Sequence, residues 1–328
     1  MSPLPTFADV QAAARRLEGV TIRTPLLENE RVNRALGGRL FIKAECLQRT
    51  GSFKLRGAYN FLAAMTDADR AKGVVGWSSG NHAQGLAEAA RLMGVKATIV
   101  MPSDAPALKV ANTRASGAEV ILYDRVKESR EAIGHGIAEK TGATIVPPYD
   151  HPWILTGQGT AGIEIAEQAK AAGVTLDAVA APCSGGGLAT GVALGVQGLS
   201  PTTAVHAGEP AGFDDLARSL ASGTKQKNDK LSGSICDALL APTPGDVTFP
   251  LAQKVLGPGL VVSDDEVLDA MELAFREFKL VVEPGGAVAL AAALTGKLPV
   301  KGRAVAVVCS GGNVDHETFK RALGRAKA

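Results

Sequence analysis

Lys54 lies in the run Gly51-Ser52-Phe53-Lys54-Leu55-Arg56-Gly57-Ala58, among small and apolar residues where an ammonium group is poorly solvated. A lysine in such company loses its proton readily, and the neutral amine can attack an aldehyde. Three other segments carry small residues suited to anions: Ser78-Ser79-Gly80-Asn81-His82, Ser184-Gly185-Gly186-Gly187-Leu188 and Ser310-Gly311-Gly312-Asn313. In the second, glycines leave backbone N–H groups free to converge on a phosphate, and a helix starting near Leu188 adds its positive dipole end. In the first, N–H and hydroxyl groups at a helix start suit an α-carboxylate, although a plain N-cap would look the same.

The elements that must position these loops read as an alternation of strands and helices, the pattern of an α/β fold with parallel sheets covered by helices. Strands are expected at Val74–Trp77, Ala97–Met101, Glu119–Tyr123, Ala143–Val146, Ala178–Ala181, Ala204–Ala207, Leu280–Val282 and Ala304–Cys309. Helices are expected at Asn81–Met93, Leu108–Ser116, Val126–Lys140, Gly159–Ala172, Leu188–Leu199, Ser263–Phe278, Ala287–Leu294 and from His316. The polar stretch Ser222–Leu231 reads as an exposed loop. Each glycine-rich segment follows an apolar run and precedes a helical one, which puts it at the carboxyl end of a strand, where open α/β sheets bind ligands.

Four motifs in this order resemble the serine/threonine dehydratase and serine racemase family, pyridoxal-phosphate enzymes of the tryptophan-synthase-β fold (fold type II). The resemblance runs from about Ile22 to about Phe319. It implies two domains, a large cofactor-binding one from residues 1–72 and 147–328 and a small mobile one from residues 73–146. It implies a covalent bond from Lys54 to pyridoxal 5'-phosphate, with Lys54 later removing the substrate Cα proton. Phe53 would pack along the cofactor ring, Ser184 to Leu188 would hold its phosphate, Asn81 its phenolic oxygen and Ser310 its pyridine nitrogen. A neutral serine there leaves the ring unprotonated and a weaker electron sink, which favours prompt loss of a β-substituent. Glu283 matches a carboxylate beneath the cofactor, with capping of the next helix as its plainer role. Ser78 to His82 would bind substrate, and Ser79, opposite Lys54, would supply the second proton donor that racemisation needs. Glu209, the Phe213 carbonyl and Asp215 match a divalent cation site, whose oxygen ligands suit magnesium, calcium or manganese; an acidic helix start is the competing account. The family reading is dehydration of L-threonine or L-serine to a 2-oxo acid and ammonia, with serine racemisation or 3-hydroxyaspartate dehydration as alternatives. Pocket walls near Gly157–Thr160 or Leu239-Leu240 would set the choice.

Composition narrows the rest. A chain of 328 residues, 46% hydrophobic, buries a large core. With 35 Lys+Arg against 33 Asp+Glu, no strong field gathers nucleic acid or an anionic membrane. Met1–Val20 has helical spacing without the apolar core of a signal peptide, and no run approaches a membrane span, so a cytoplasmic protein is expected. Cys46, Cys183, Cys236 and Cys309 form no CxxC pair and read as buried thiols; His135, His151, His206 and His316 read as structural. No G-x-G-x-x-G opens a dinucleotide fold, which argues against an oxidoreductase or a plain binding module. The resemblance further implies a homodimer and an amino-acid substrate. With no segment beyond the terminal helix, a regulatory domain and feedback inhibition by isoleucine are not expected.

Overall fold

The computed structural model describes residues 4–78, 80–105 and 107–325. In chain order the elements are α1 (Phe7–Leu17), β1 (Leu26–Glu28), α2 (Glu30–Leu36), β2 (Arg39–Lys43), α3 (Lys54–Ala64), α4 (Asp67–Ala71), β3 (Val74–Trp77), α5 (Asn81–Met93), β4 (Ala97–Pro102), α6 (Ala107–Ala115), β5 (Glu119–Tyr123), α7 (Arg130–Thr141) and β6 (Thr144–Ile145). There follow α8 (Pro152–Ala171), β7 (Ala178–Pro182), α9 (Gly187–Leu199), β8 (Ala204–Pro210), α10 (Asp215–Ser222), α11 (Thr248–Val255), β9 (Leu260–Val262), α12 (Asp264–Phe278), α13 (Pro284–Leu294), β10 (Ala304–Val308) and α14 (His316–Leu323).

The strands form two sheets. One has the order β1-β2-β10-β7-β8-β9, the other β5-β4-β3-β6. Apart from the antiparallel edge β1–β2, every described pairing between these strands is parallel. Parallel sheets need helices on both faces, and the strands accordingly read as apolar runs without alternation. In the six-stranded sheet Val307 on β10 joins α12 and α13 in one cluster, while its neighbours Ala306 and Val308 join α8 and α9 in another. In the four-stranded sheet Val74, Ile99 and Met101 pack with Leu86 of α5 and with Leu55, Phe61 and Leu62 of α3. Helix α3 therefore shares its apolar core with the smaller sheet, although it lies before that sheet in sequence.

Several boundaries differ from the sequence expectation for physical reasons. Helix α8 starts at Pro152, seven residues before the expected Gly159, with His151 as its N-cap. The glycines that suggest a break serve close packing instead. A Cβ on Gly157 would lie 2.6 Å from the Arg56 carbonyl oxygen, and one on Gly162 2.3 Å from that of Val192. Leu280–Val282 is not a strand: Lys279 turns left-handed (φ 60°) to close α12, Leu280 N–H bonds back to Ala274, and the segment runs on irregularly to Glu283. Helix α7 begins at Arg130 rather than Val126 because Ser129 caps it, its hydroxyl accepting the Ala132 N–H at 3.2 Å. Strand β8 extends to Pro210 and so carries Glu209 into the sheet. Strands β1, β2 and β9 are too short to carry a periodic sequence signal. Among the described residues, no helix is long and apolar enough to cross a membrane.

Candidate active site

The loops after β3, β7 and β10 leave the carboxyl ends of parallel strands. The segment ahead of Lys54 is stitched to the Ser310 loop. Phe53 N–H donates to the Ser310 carbonyl (3.1 Å), Gly312 N–H to that of Gly51 (2.9 Å), and Asn313 Nδ2 to that of Thr50 (2.8 Å). These bonds hold Thr50 at φ 65°, a conformation disfavoured for a β-branched residue. Lys54, half-buried, opens α3. Its Nζ donates to the Pro148 carbonyl oxygen at 2.8 Å and stands 5.1 Å from the Phe53 ring centre. Burial pushes its pKa down to about 8, against the pull of the nearby Glu283 carboxylate.

The Ser184–Leu188 loop lies where α9 begins. Gly186 adopts φ 101°, which a side chain would strain, and no side chain caps this helix start. The Gly185 carbonyl accepts from Thr248 Oγ1 (2.6 Å) and Gly245 N–H (3.1 Å), and Ser184 Oγ accepts from Ala241 N–H (3.0 Å). Beside the loop, Thr190 Oγ1 is buried without a hydrogen-bond partner. Tyr149, in the segment between β6 and α8, covers the loop: a Cβ on Gly185 would fall 2.0 Å from its ring. Asp150 fixes this segment by accepting N–H bonds from Asp246, Val247 and Thr248 at 2.7 to 3.1 Å.

On the other side, Asn81 begins α5 and joins the two remaining loops. Its Nδ2 donates to Glu283 Oε1, and its Oδ1 accepts from Asn313 Nδ2 at 2.8 Å. Glu283 precedes α13 but its side chain does not cap it. Burial pushes the Glu283 carboxyl up to about 7, opposed by the Asn81 hydrogen bond. His82 is buried with Nε2 3.0 Å from the Val146 carbonyl oxygen; burial, then the Lys54 charge, push its pKa down to about 3. It is therefore neutral, donates to the sheet edge and has that nitrogen occupied. Ser78 Oγ accepts the Gly80 N–H at 3.1 Å. Ser310 is buried, its N–H donating to the Gly286 carbonyl, and its hydroxyl takes no part in the described hydrogen bonds. Ser79 lies outside the described residues.

A desolvated lysine, an uncapped glycine-lined helix start and the Pro148-Tyr149 segment that meets both are one constellation. The sequence pattern of the pyridoxal-phosphate dependent enzymes matches residues 17–311. The chain belongs to this family. It is 44% identical to an L-threo-3-hydroxyaspartate ammonia-lyase of a Pseudomonas species, across 98% of this chain and 99% of the other. Among solved structures it resembles maize serine racemase, with a TM-score of 0.91, 36% identity and 98% of each chain covered. It likewise resembles the processed form of threonine deaminase isoform 2 from Solanum lycopersicum, with a TM-score of 0.90, 32% identity, and coverage of 98% of this chain and 92% of the other.

The residues fit the family's cofactor. The N–H groups opening α9 and the unpartnered Thr190 hydroxyl are donors without acceptors, which is what a phosphate dianion requires. The proposed cation ligands present a different picture. Glu209 accepts N–H bonds from Leu216 (3.1 Å) and Ala217 (2.7 Å), as an acidic helix start would. Asp215 Oδ1 accepts from Asn228 Nδ2 (2.7 Å), but its Oδ2 is buried and unpartnered. Among the described residues no three His, Cys, Asp or Glu side chains gather as a metal site. Burial, then the Asp215 charge, push Glu209 well above the carboxylate range, and burial pushes Asp215 from 3.8 to about 6. A raised folded-state pKa contributes stability that is complete below the unfolded value and is lost as pH rises through the folded one. Asp215→Asn should therefore lose less thermal stability than the parent between pH 4 and pH 7 in chelator. A melting series over that range tests it; parallel curves would contradict the assignment.

Proposed function

We propose that this protein is a pyridoxal-phosphate-dependent ammonia-lyase that dehydrates a small L-β-hydroxy amino acid, and that among threonine, serine and 3-hydroxyaspartate the last is preferred. The observation that carries the reaction class is Lys54, desolvated at the start of α3 and close to Pro148, next to Tyr149 over the glycine loop. When bound, the cofactor supplies a conjugated ring that withdraws electron density from Cα. Ser184, Gly185, Gly186, Gly187 and Leu188 would hold its phosphate, Phe53 would pack against the ring, and Asn81, set by Glu283 and Asn313, would meet its phenolic oxygen. Ser310, a buried residue whose hydroxyl takes no part in the described hydrogen bonds, would offer the pyridine nitrogen a neutral partner. Lys54, with a pKa near 8, exists partly as free amine at neutral pH and takes the Cα proton. The backbone at Ser78, Gly80 and Asn81 binds the α-carboxylate. The four-stranded sheet is the part that closes over the site and excludes water.

The preference for a second carboxylate is supported by a cavity at the carboxyl ends of β3, β4 and β5, lined by Ser78, Tyr123, Arg125 and Arg130 among others. Among the described residues, Arg125 and Arg130 pair only with the exposed carboxylates Asp104 and Glu131, contacts of small worth that a substrate can displace. Their planar guanidinium groups suit a carboxylate and gain nothing from a methyl or a hydrogen. The Pseudomonas relative bears the name of that activity. We expect kcat/KM for L-threo-3-hydroxyaspartate to exceed those for L-threonine and L-serine by about tenfold or more, the worth of one charged hydrogen bond. An equal or higher value for threonine would reject this preference. The racemase alternative depends on Ser79; D-serine formed from L-serine, read by chiral chromatography, would favour it. For the cation, Glu209, Asp215 and the Phe213 carbonyl offer hard oxygen ligands that would brace the start of α10. Magnesium should then raise the melting temperature more at pH 8 than at pH 5, where the acids hold their protons.

A further inference from the structure

Four charged side chains are buried together behind Lys54, and neither the proton transfer nor the anion binding uses them. Arg56 is fully buried two residues from Lys54 and makes a double contact with Glu45, Nε to Oε2 and Nη2 to Oε1, both 2.8 Å. It makes another with Glu164 on α8, Nη1 to Oε1 at 2.7 Å and Nη2 to Oε2 at 2.9 Å. Lys43, at the end of β2, donates to Glu164 Oε2 and to the Thr24 carbonyl, each at 2.6 Å. Two positive and two negative groups thus close a neutral, fully bonded cluster.

Burying such a cluster costs desolvation that an apolar core would not, so packing alone does not account for it. What a planar fork provides is orientation. On an α-helix two residues are separated by about 200° of rotation, so Arg56 grips the face of the first α3 turn opposite Lys54. From Lys54's side α5 presses in: a Cβ on Gly85 would lie 3.0 Å from Lys54 Cβ. Backbone meets backbone between α3 and α8, where Gly157 admits no side chain.

We infer that the Lys43–Glu164–Arg56–Glu45 cluster is a positioning device that fixes the rotation of the first α3 turn and so aims the Lys54 amine. The inference rests on Lys54 being the amine that bonds the cofactor. A charge-balanced double variant, Lys43→Met with Glu164→Gln, removes one charge of each sign, and Arg56→Lys keeps the charge but loses the fork. In apo protein, covalent capture of pyridoxal phosphate, followed by absorbance, should slow about 10²-fold, the effect of an ångström-scale misplacement. Pyridoxamine phosphate, which has no aldehyde, should bind with unchanged affinity, and the melting temperature of the double variant should stay close to the parent's. Capture at the parental rate by either folded variant overturns the inference. So does a fall in pyridoxamine phosphate affinity in step with melting temperature, because the cluster would then support the fold alone. Failure of the parent protein to capture pyridoxal phosphate at Lys54 would instead refute the site reading.

Discussion

Lys54→Ala is expected to lower 2-oxo acid formation by more than about 10⁴-fold, since it removes both the general base and the covalent anchor. The parent protein treated with borohydride in the presence of pyridoxal phosphate should carry the label on Lys54, read by peptide mass spectrometry; the variant should carry none. Residual turnover above about one per cent, or a label on another lysine, would overturn the assignment. The pH dependence follows from burial. The Lys54 ammonium is destabilised to a pKa of about 8, so the folded chain holds fewer protons here than the unfolded chain between 8 and the ordinary 10.5. Capture of pyridoxal phosphate by apo protein should accordingly rise through about pH 8 and level off above it, whereas an exposed lysine would go on gaining for two further units.

Much of the fold and site was legible because the loops carry their chemistry in small residues. Asn81–Met93 and Glu119–Tyr123 begin and end where the sequence places them, since Gly94 closes the helix in a left-handed turn and apolar residues fill the strand. Glycine misled where it served packing rather than chain reversal, as at Gly157 and Gly162 in α8. The apolar Leu280–Val282 reads as a strand because Leu280 and Val282 are buried with exposed Val281 between them, and burial in an irregular segment selects the same side chains as burial in a sheet. Glu283 could be given two roles from sequence; it stands at the N-cap position of α13, but its side chain turns to Asn81 and makes no capping hydrogen bond. Lys43, Glu45, Arg56 and Glu164 were invisible as a group because charged residues far apart in sequence look like separate solvated ones; only the fold brings them together. Tyr149 carried a signal, two prolines directly before it, but no periodicity says which loop its ring will cover.

The second large effect concerns Arg130, which shares its cavity with Ser78, the first residue of the proposed carboxylate-binding turn. Removing a guanidinium from a carboxylate partner costs about 1.5 to 3 kcal/mol. Arg130→Ala should therefore lower kcat/KM for L-threo-3-hydroxyaspartate by about 10- to 150-fold. L-Serine has no second carboxylate to lose a partner, so its kcat/KM should change by less than about threefold. The comparison separates recognition from damage, because a disturbed site would lower both values together. Arg125→Ala gives the second half of the argument. If the two guanidinium groups hold one carboxylate jointly, the double variant should lose less than the product of the single losses, since the remaining arginine already works alone in each single variant. Equal losses on serine and hydroxyaspartate would remove the arginines from substrate recognition and leave threonine or serine as the natural choice for this pocket.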